Sequence, residues 1–204
     1  METHLLDEAA DLGSSRDLEL RLTLIPREDT VRGYFFTCAL EQLRLHGQEE
    51  AVRRWVTTSG MEPPTAFFKY PMSALLPLLY QTAWAMKDST GSFEESLRQL
   101  GYWTAKVFLE SAVGRAMMML ATRNPKRLAD SLPTAYRTGW GHGEGAVTWS
   151  GASQCHPAIH GNVVASPYFE GVFLRVFQAV GAPNLKVKGW QEGPANTRYD
   201  ISWG

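Results

Sequence analysis

The segment from Ser166 to Gly181 constrains the fold more than any other part of the sequence. Its apolar residues recur at intervals of three and four, the spacing that places side chains on one face of an α-helix. Ser166 followed by Pro167 is a typical helix start, and Gly181 is a typical C-terminal cap. A helix with such a stripe has to bury it against another element. The stripe consists of Phe169, Val172, Phe173, Val176, Phe177 and Val180.

The partner of this helix is predicted to be a small antiparallel sheet. Residues 185–190 and 197–203 both alternate apolar and polar side chains, and the turn residues 192–194 between them predict a hairpin. Residues 144–149 form another strand candidate, and residues 161–165 form a weaker one. The stretch between these two candidates is predicted to be a loop.

Most of the preceding chain has helical spacing. Helices are predicted for residues 31–45, 48–57, from Pro71 onward, after the capping box that begins at Ser92, over 111–121, and over 126–131 up to Pro133. Apolar and polar side chains alternate over residues 18–25 instead, which predicts a strand. We therefore predict a polar lead-in over residues 1–17 and a single α+β domain over 18–204. An N-terminal helical layer would pack on the C-terminal antiparallel sheet, with one amphipathic helix at about 167–180.

The charge balance excludes some classes of partner. The 204 residues include 20 basic and 21 acidic side chains, which gives no basic stripe for nucleic acid. No apolar run approaches the roughly 18 residues that a membrane span requires, and the N-terminus lacks the pattern of a signal peptide. Two cysteines far apart in the sequence fit a reducing compartment. These features predict a cytoplasmic protein.

Several short motifs are spread over residues 30–203, and their order resembles that of a known family. It is an uncharacterised domain family with many paralogues in myxobacteria, and the resemblance implies no established activity. The motifs are Val31-Arg32-Gly33-Tyr34-Phe35-Phe36, Lys69-Tyr70-Pro71, the stretch from Ser92 to Gly101, Gly114-Arg115-Ala116, Asn124-Pro125-Lys126-Arg127, Leu132-Pro133-Thr134-Ala135-Tyr136-Arg137 and Phe169-Glu170-Gly171-Val172-Phe173.

The general shape is also similar to a superfamily of ligand-binding domains. It contains four-vinyl-reductase-type sensor domains, haem-based nitric-oxide sensors and subunits of a Golgi transport particle. This resemblance implies a pocket for a small apolar ligand between the helices and the sheet. In the haem sensors an axial histidine lies on a helix ahead of the sheet, and a Tyr-Ser-Arg motif holds the propionates. The sequence has no such triplet, and His160 follows the helical region, so no cofactor is predicted.

Aromatic residues supply the candidates for such a pocket. The chain contains seven Trp, seven Tyr and nine Phe, and aromatic side chains are frequent in both cores and ligand pockets. We expect a non-enzymatic small-molecule-binding or sensory domain. The alternative is a homodimeric interaction module that uses the apolar faces of the last helix and of residues 75–86. The candidate pocket residues are Tyr80, Trp84, Trp103, Phe108, Met118, Tyr136 and Phe173.

A second alternative is a metal site or metalloenzyme built on the loop from Cys155 to His160. Cys155, His156 and His160 offer three ligands that suit zinc, and His142 is available as a fourth. The glycines of residues 139–145 have the spacing of a turn and lack the Lys-Ser/Thr of a phosphate-binding loop. No nucleophile elbow is present. The balance of these features favours a non-enzymatic protein.

Overall fold

The computed structural model describes residues 11–61 and 64–204, which form eight helices and six strands. The mixture confirms the α+β class. The elements are α1 (Ser15–Thr23), β1 (Thr30–Arg32), α2 (Tyr34–Leu45), α3 (Glu49–Ser59), β2 (Lys69–Pro71), α4 (Met72–Thr90), α5 (Phe93–Glu110), α6 (Ala112–Ala121), α7 (Pro125–Gly139), β3 (Glu144–Gly151), β4 (Gln154–His160), α8 (Ser166–Ala179), β5 (Lys186–Gln191) and β6 (Asn196–Ser202).

The strands form two antiparallel sheets. The larger sheet has the order β3-β4-β6-β5, and its β5–β6 edge is the predicted hairpin. The smaller sheet pairs β1 with β2 and places Val31 opposite Tyr70. An isolated bridge from Val31 to Trp140 ties this ladder to the end of α7. Within the described part of the chain, no helix is both long and apolar enough to cross a membrane.

The predicted amphipathic helix is α8, and its stripe packs on the large sheet as expected. The ring of Phe173 lies 4.9 Å from that of Tyr199, and Phe177 lies 5.4 Å from Trp203. The other side of α8 crosses α5 in close backbone contact. A Cβ on Gly101 would lie 1.8 Å from the Tyr168 carbonyl oxygen, so only glycine permits this approach.

The helical layer is held by a continuous apolar core. Leu75, Leu78 and Leu79 of α4 and Phe36 and Leu43 of α2 are at most 1% exposed. Each such side chain contributes about 1.5–3 kcal/mol by burial. Two helix starts are capped as the sequence predicts: the Glu95 amide donates to the Ser92 hydroxyl at 3.1 Å, and the Asn124 side chain accepts from the Lys126 and Arg127 amides of α7.

Several local predictions are wrong, and the first concerns residues 18–25. Residues 18–23 belong to α1, which buries Asp17 and Arg21 rather than an apolar face. Ser14 caps this helix by accepting from the Asp17 amide at 3.1 Å. Residues 14–17 therefore belong to the fold, while residues 1–10 of the predicted lead-in lie outside the described residues.

The second concerns Pro133, which does not end α7. Pro133 has no amide hydrogen, so one hydrogen bond inside the helix is missing. The helix nevertheless continues to Gly139, because the packing of its last turn compensates for this loss. The buried Tyr136 and Trp140 stack with their ring centroids 6.2 Å apart. This extension carries the aromatic residues that line the candidate site.

The third concerns the loop predicted before residue 161, which contains strand β4. Cys155, Pro157 and Ile159 point inward in alternation. The β4–β6 ladder pairs Cys155 with Ile201 and resumes at Ala158 with Arg198. Pro157 lies in the interrupted stretch, as expected for a residue that has no amide hydrogen to donate. The weaker strand candidate at 161–165 is a connection without strand structure.

Candidate functional site

An apolar cavity lies between helices α5, α7 and α8 and the inner face of β3 and β4. Its volume is about 90 Å³, and its walls contain no acidic or basic side chain. Tyr34 and Phe35 of α2 close one side. The wall residues are Tyr34, Phe35, Thr104, Ala105, Phe108, Met117, Leu132, Pro133, Ala135, Tyr136, Gly139, Trp140, Gly145, Ala146, Pro157, Ala158, Ile159, Phe169, Val172, Phe173 and Val176.

Aromatic rings form much of the wall and hold one another in place. Tyr34 stacks on Phe35 at 4.2 Å, and Phe35 lies 4.5 Å from Trp140. Trp140 in turn lies 5.5 Å from Phe169 of α8. Such ring pairs are worth about 0.5–1.5 kcal/mol each beyond the area that they bury. The cavity therefore has a rigid wall on this side.

Two phenols are the main polar groups of the wall. The Tyr136 hydroxyl donates to the His142 carbonyl at 2.9 Å and accepts from the Asn162 amide group at 2.8 Å. The hydroxyl of Tyr34, a residue that is only 8% exposed, has no hydrogen-bond partner among the described residues. Burial raises the pKa of both tyrosines above the ordinary value, so both remain neutral phenols.

Three of the candidate pocket residues lie in this wall, and four lie elsewhere. Phe108, Tyr136 and Phe173 line the cavity. Met118 does not, because the turn of α6 presents Met117 to the cavity instead. A ligand contact by any of the seven stays a prediction.

The remaining three candidates are engaged in other contacts. The Tyr80 hydroxyl donates to Asp17 at 2.5 Å, and the Trp84 indole donates to the Gly13 carbonyl at 2.8 Å. Trp103 is 37% exposed and lies under the Lys106 ammonium group. These aromatic residues face α1 or solvent rather than the cavity.

Sequence reasoning missed the central wall residues Trp140, Phe35 and Phe169 as ligand contacts. Phe169 belongs to the apolar stripe of α8, and its spacing predicts burial but not a neighbouring void. Trp140 lies inside the glycine-rich stretch 139–145, beyond the predicted helix end at Pro133, so no periodic signal marks it. A void is set by how several elements meet, which a local pattern does not encode.

The proposed metal ligands are separated by the pleat of β4. Cys155 is fully buried on the inner face, and burial raises the pKa of its thiol to about 12. His156 lies on the opposite face, and His160 and His142 are exposed. Over residues 11–61 and 64–204, no group of three or more His, Cys, Asp or Glu side chains is arranged to hold a metal ion.

His156 instead joins Ser150 and Asp200 in a hydrogen-bonded row. Its Nδ1 lies 2.6 Å from an Asp200 oxygen, and its Nε2 lies 2.8 Å from the Ser150 hydroxyl. An Asp-His-Ser chain of hydrogen bonds of this kind activates the serine in catalytic triads. All three residues lie on the outer face of the sheet, and none lines the apolar cavity. We interpret the row as cross-strand support for β3, β4 and β6.

Sequence and structure comparisons relate the chain to known proteins. Residues 25–204 match the sequence profile of a family described as a protein of unknown function, DUF2378. No curated protein matches the chain.

Solved structures of H-NOX proteins are similar to the chain. The Fe(II) unliganded H-NOX protein from K. algicida is 18% identical with a TM-score of 0.59, and the match covers 85% of this chain and 96% of that one. The Cs H-NOX mutant with 4-cyano-L-phenylalanine at site 5 is 14% identical with a TM-score of 0.60, over 84% and 96%. An H-NOX structure concerned with the function of haem distortion is 14% identical with a TM-score of 0.60, over 84% and 94%. At these identities the likeness shows a shared fold.

A haem group does not fit the residues of this cavity. No histidine lines it, and α7, the helix directly ahead of the large sheet, contains none. A phenolate ligand from Tyr34 or Tyr136 is opposed by their raised pKa values. The volume of about 90 Å³ also falls far below the roughly 300–1,000 Å³ of pockets for larger ligands. The cavity suits a much smaller apolar group.

Proposed function

The chain belongs to the DUF2378 family of proteins of unknown function, and from that premise we propose that it is a non-enzymatic sensory domain that binds a small apolar ligand. The observation that carries the proposal is the apolar cavity between α5, α7, α8 and the large sheet. The H-NOX structures that share this fold include one with Fe(II) and one concerned with haem. The ligand proposed for this chain is not haem, because the wall residues do not fit that group.

The size of the cavity limits the ligand. An engineered apolar cavity of about 150 Å³ holds benzene, and the cavity of this chain measures about 90 Å³. A short alkyl chain fits this space better than a ring. Met117 is a flexible part of the wall and can adjust to such a chain.

A sensory role is supported by the way in which the cavity joins distant parts of the chain. Phe108 of α5, Tyr136 of α7, Val172 of α8 and Ile159 of β4 all contribute to one wall. A ligand that contacts all four elements stabilises their mutual packing. Binding is thereby linked to the conformation of the whole domain.

Ligand-dependent thermal unfolding with 1-butanol tests the proposal. A ligand at ten times its dissociation constant stabilises the folded state by about 1.4 kcal/mol. For a domain of this size the unfolding midpoint then rises by roughly 3–6 °C. We expect this rise for the unaltered protein at saturating concentrations that leave its circular dichroism spectrum unchanged.

A matched pair of variants locates the binding site. Val172→Phe adds a ring to a half-buried position in the cavity wall, and Val56→Phe makes the same change at a half-buried position of α3 away from it. We expect the butanol-induced shift to vanish in V172F and to persist in V56F. An equal shift in both variants, or no shift in the unaltered protein, would contradict the proposal.

A second candidate function is the homodimeric interaction module. The apolar faces of α4 and α8 that the sequence suggested for the seam are already buried by the chain itself. Helix α6 instead exposes Met119 and Leu120, each 78% accessible, and Val113 at 44%. Contiguous exposed apolar side chains are typical of interaction surfaces. Light scattering of M119E and unaltered protein tests this idea: a monomer in both cases excludes it.

A further inference from the structure

A cleft with three cationic side chains adjoins the apolar cavity. Arg32, Lys69 and Arg137 line it together with Thr30, Thr138 and the backbone of the glycine-rich turn. Its volume is about 290 Å³, and no acidic side chain belongs to its wall. The cleft therefore concentrates positive charge beside a void that is otherwise apolar.

These positive charges are not neutralised by the protein. None of the three side chains forms an ion pair with an acidic side chain in residues 11–61 or 64–204. Arg32 donates to two neutral carbonyl groups, those of Thr138 at 3.3 Å and Phe67 at 2.6 Å. Arg32 also lies directly opposite Lys69 in the β1–β2 ladder. Like charges at opposed positions are destabilising, and a bound anion would relieve their repulsion.

The cleft and the cavity meet at Gly139 and Trp140, which line both. Gly139 allows the Tyr34 side chain to approach the backbone closely, because a Cβ at this position would lie 2.9 Å from the Tyr34 hydroxyl oxygen and 3.3 Å from the Phe35 ring. The unpartnered hydroxyl of Tyr34 is thus placed at the boundary between the charged and the apolar space. An acceptor supplied by a ligand would give this hydroxyl a hydrogen-bond partner.

We propose that the cleft and the cavity form one site for an anionic amphiphile, a carboxylate with a short alkyl chain. The carboxylate lies in the cleft beside Lys69 and Arg137 and accepts from the Tyr34 hydroxyl, and the chain enters the apolar cavity where Gly139 and Trp140 line both spaces. Charge-assisted bonds of this kind are stronger than neutral ones. In proportion to the roughly 150 Å³ that hold benzene, the apolar part limits the chain to about four carbons beyond the head group. This inference rests on the proposed function and names the class of its ligand.

Calorimetric titration with three probes separates the two parts of the site. Pentanoate carries both the charge and the chain, 1-butanol carries only the chain, and acetate carries only the charge. We expect pentanoate to bind about tenfold more tightly than 1-butanol. Acetate should show no measurable binding, because its methyl group gains little from burial.

Two variants test the named contacts. Arg137→Gln removes an exposed cation from the cleft, and Arg53→Gln removes an exposed cation from α3 as a matched control. Tyr34→Phe removes the hydroxyl and keeps the ring. We expect R137Q and Y34F to weaken pentanoate binding about threefold to tenfold without changing butanol binding, while R53Q leaves both unchanged. Because its hydroxyl has no partner, Y34F should unfold at the same temperature as the unaltered protein or above it.

The outcomes distinguish this inference from the proposed function. Equal affinities for pentanoate and 1-butanol, or equal effects of R137Q and R53Q on pentanoate binding, would overturn the carboxylate site and leave the apolar cavity as a binding site. Measurable binding of acetate alone would overturn the role of the chain. Failure of all three probes to bind would overturn both proposals.

Discussion

Replacement of Arg21 by methionine should destabilise the protein strongly, because this side chain is almost completely buried. Its Nε donates to Asp17 at 2.7 Å, and the two side chains are only 4% and 6% exposed. Its Nη1 donates to the carbonyl groups of Val163 at 2.8 Å and Pro194 at 3.0 Å. Arg21 therefore joins α1 to the segment before α8 and to the turn of the terminal hairpin.

The expected magnitude follows from what Arg21→Met leaves behind. Methionine fills a similar volume, but the Asp17 carboxylate and two carbonyl oxygens lose their donors. Removing one partner of a buried ion pair costs about 3–5 kcal/mol. Asp17 keeps the hydrogen bonds from Tyr80 and from the Gly13 amide, which favours the lower part of that range. We expect a loss of about 3–4 kcal/mol in the free energy of unfolding.

Urea denaturation measures this loss, and the chain offers a matched control. Arg54 pairs with Glu50 at the same i,i+4 spacing, but these side chains are 66% and 83% exposed. Arg54→Met should cost no more than about 0.5 kcal/mol. The double variant D17N/R21M should recover at least about 1 kcal/mol relative to R21M, because the uncompensated charge is removed. A cost for R21M below about 1 kcal/mol, or no recovery in the double variant, would refute the reasoning.

Three further predictions concern the core, the thiols and the outer face of the sheet. Gly101→Ala should cost about 3 kcal/mol in urea denaturation, because its Cβ would lie 1.8 Å from a carbonyl oxygen of α8. Burial raises the pKa of Cys38 to about 11 and that of Cys155 to about 12. When the pH rises above the ordinary thiol pKa of 9.0, these thiols therefore lose their protons in the unfolded chain and keep them in the folded protein. The free energy of unfolding should therefore fall between about pH 9 and pH 11, and C38A/C155A should flatten the decline. A fluorophosphonate probe followed by mass spectrometry should leave Ser150 unlabelled, because this serine lines neither the apolar cavity nor the cationic cleft.

The elements that the sequence predicts well carry their signals locally. Helix α8 has a start, a stop and an apolar stripe within one segment, and the hairpin has turn residues between two alternating runs. The capping box at Ser92 is equally local, and its hydrogen bond is present at 3.1 Å. In each case the propensities of the segment agree with its tertiary role, which makes the pattern reliable.

Helix α1 shows why the same reasoning fails elsewhere. The alternation of residues 18–25 satisfies a strand pattern, yet the helix leaves Leu20 46% and Leu24 43% exposed. Its buried face consists of Asp17 and Arg21, which charge alone would place in solvent. Their burial depends on acceptors 142 and 173 positions away from Arg21. No local window contains that information.

The tertiary packing maintains the cavity, although an empty cavity lowers the stability of the fold. At about 24 cal/mol per Å³, an empty apolar volume of about 90 Å³ costs the fold roughly 2 kcal/mol. Small residues such as Ala105, Ala135 and Gly145 line it where larger apolar side chains would fill it. A packing defect would leave this loss of stability uncompensated. In a binding site, the ligand restores the stability when it occupies the space. The coincidence of this void with an unpartnered phenol and three unpaired cations at its mouth is what favours binding over a defect.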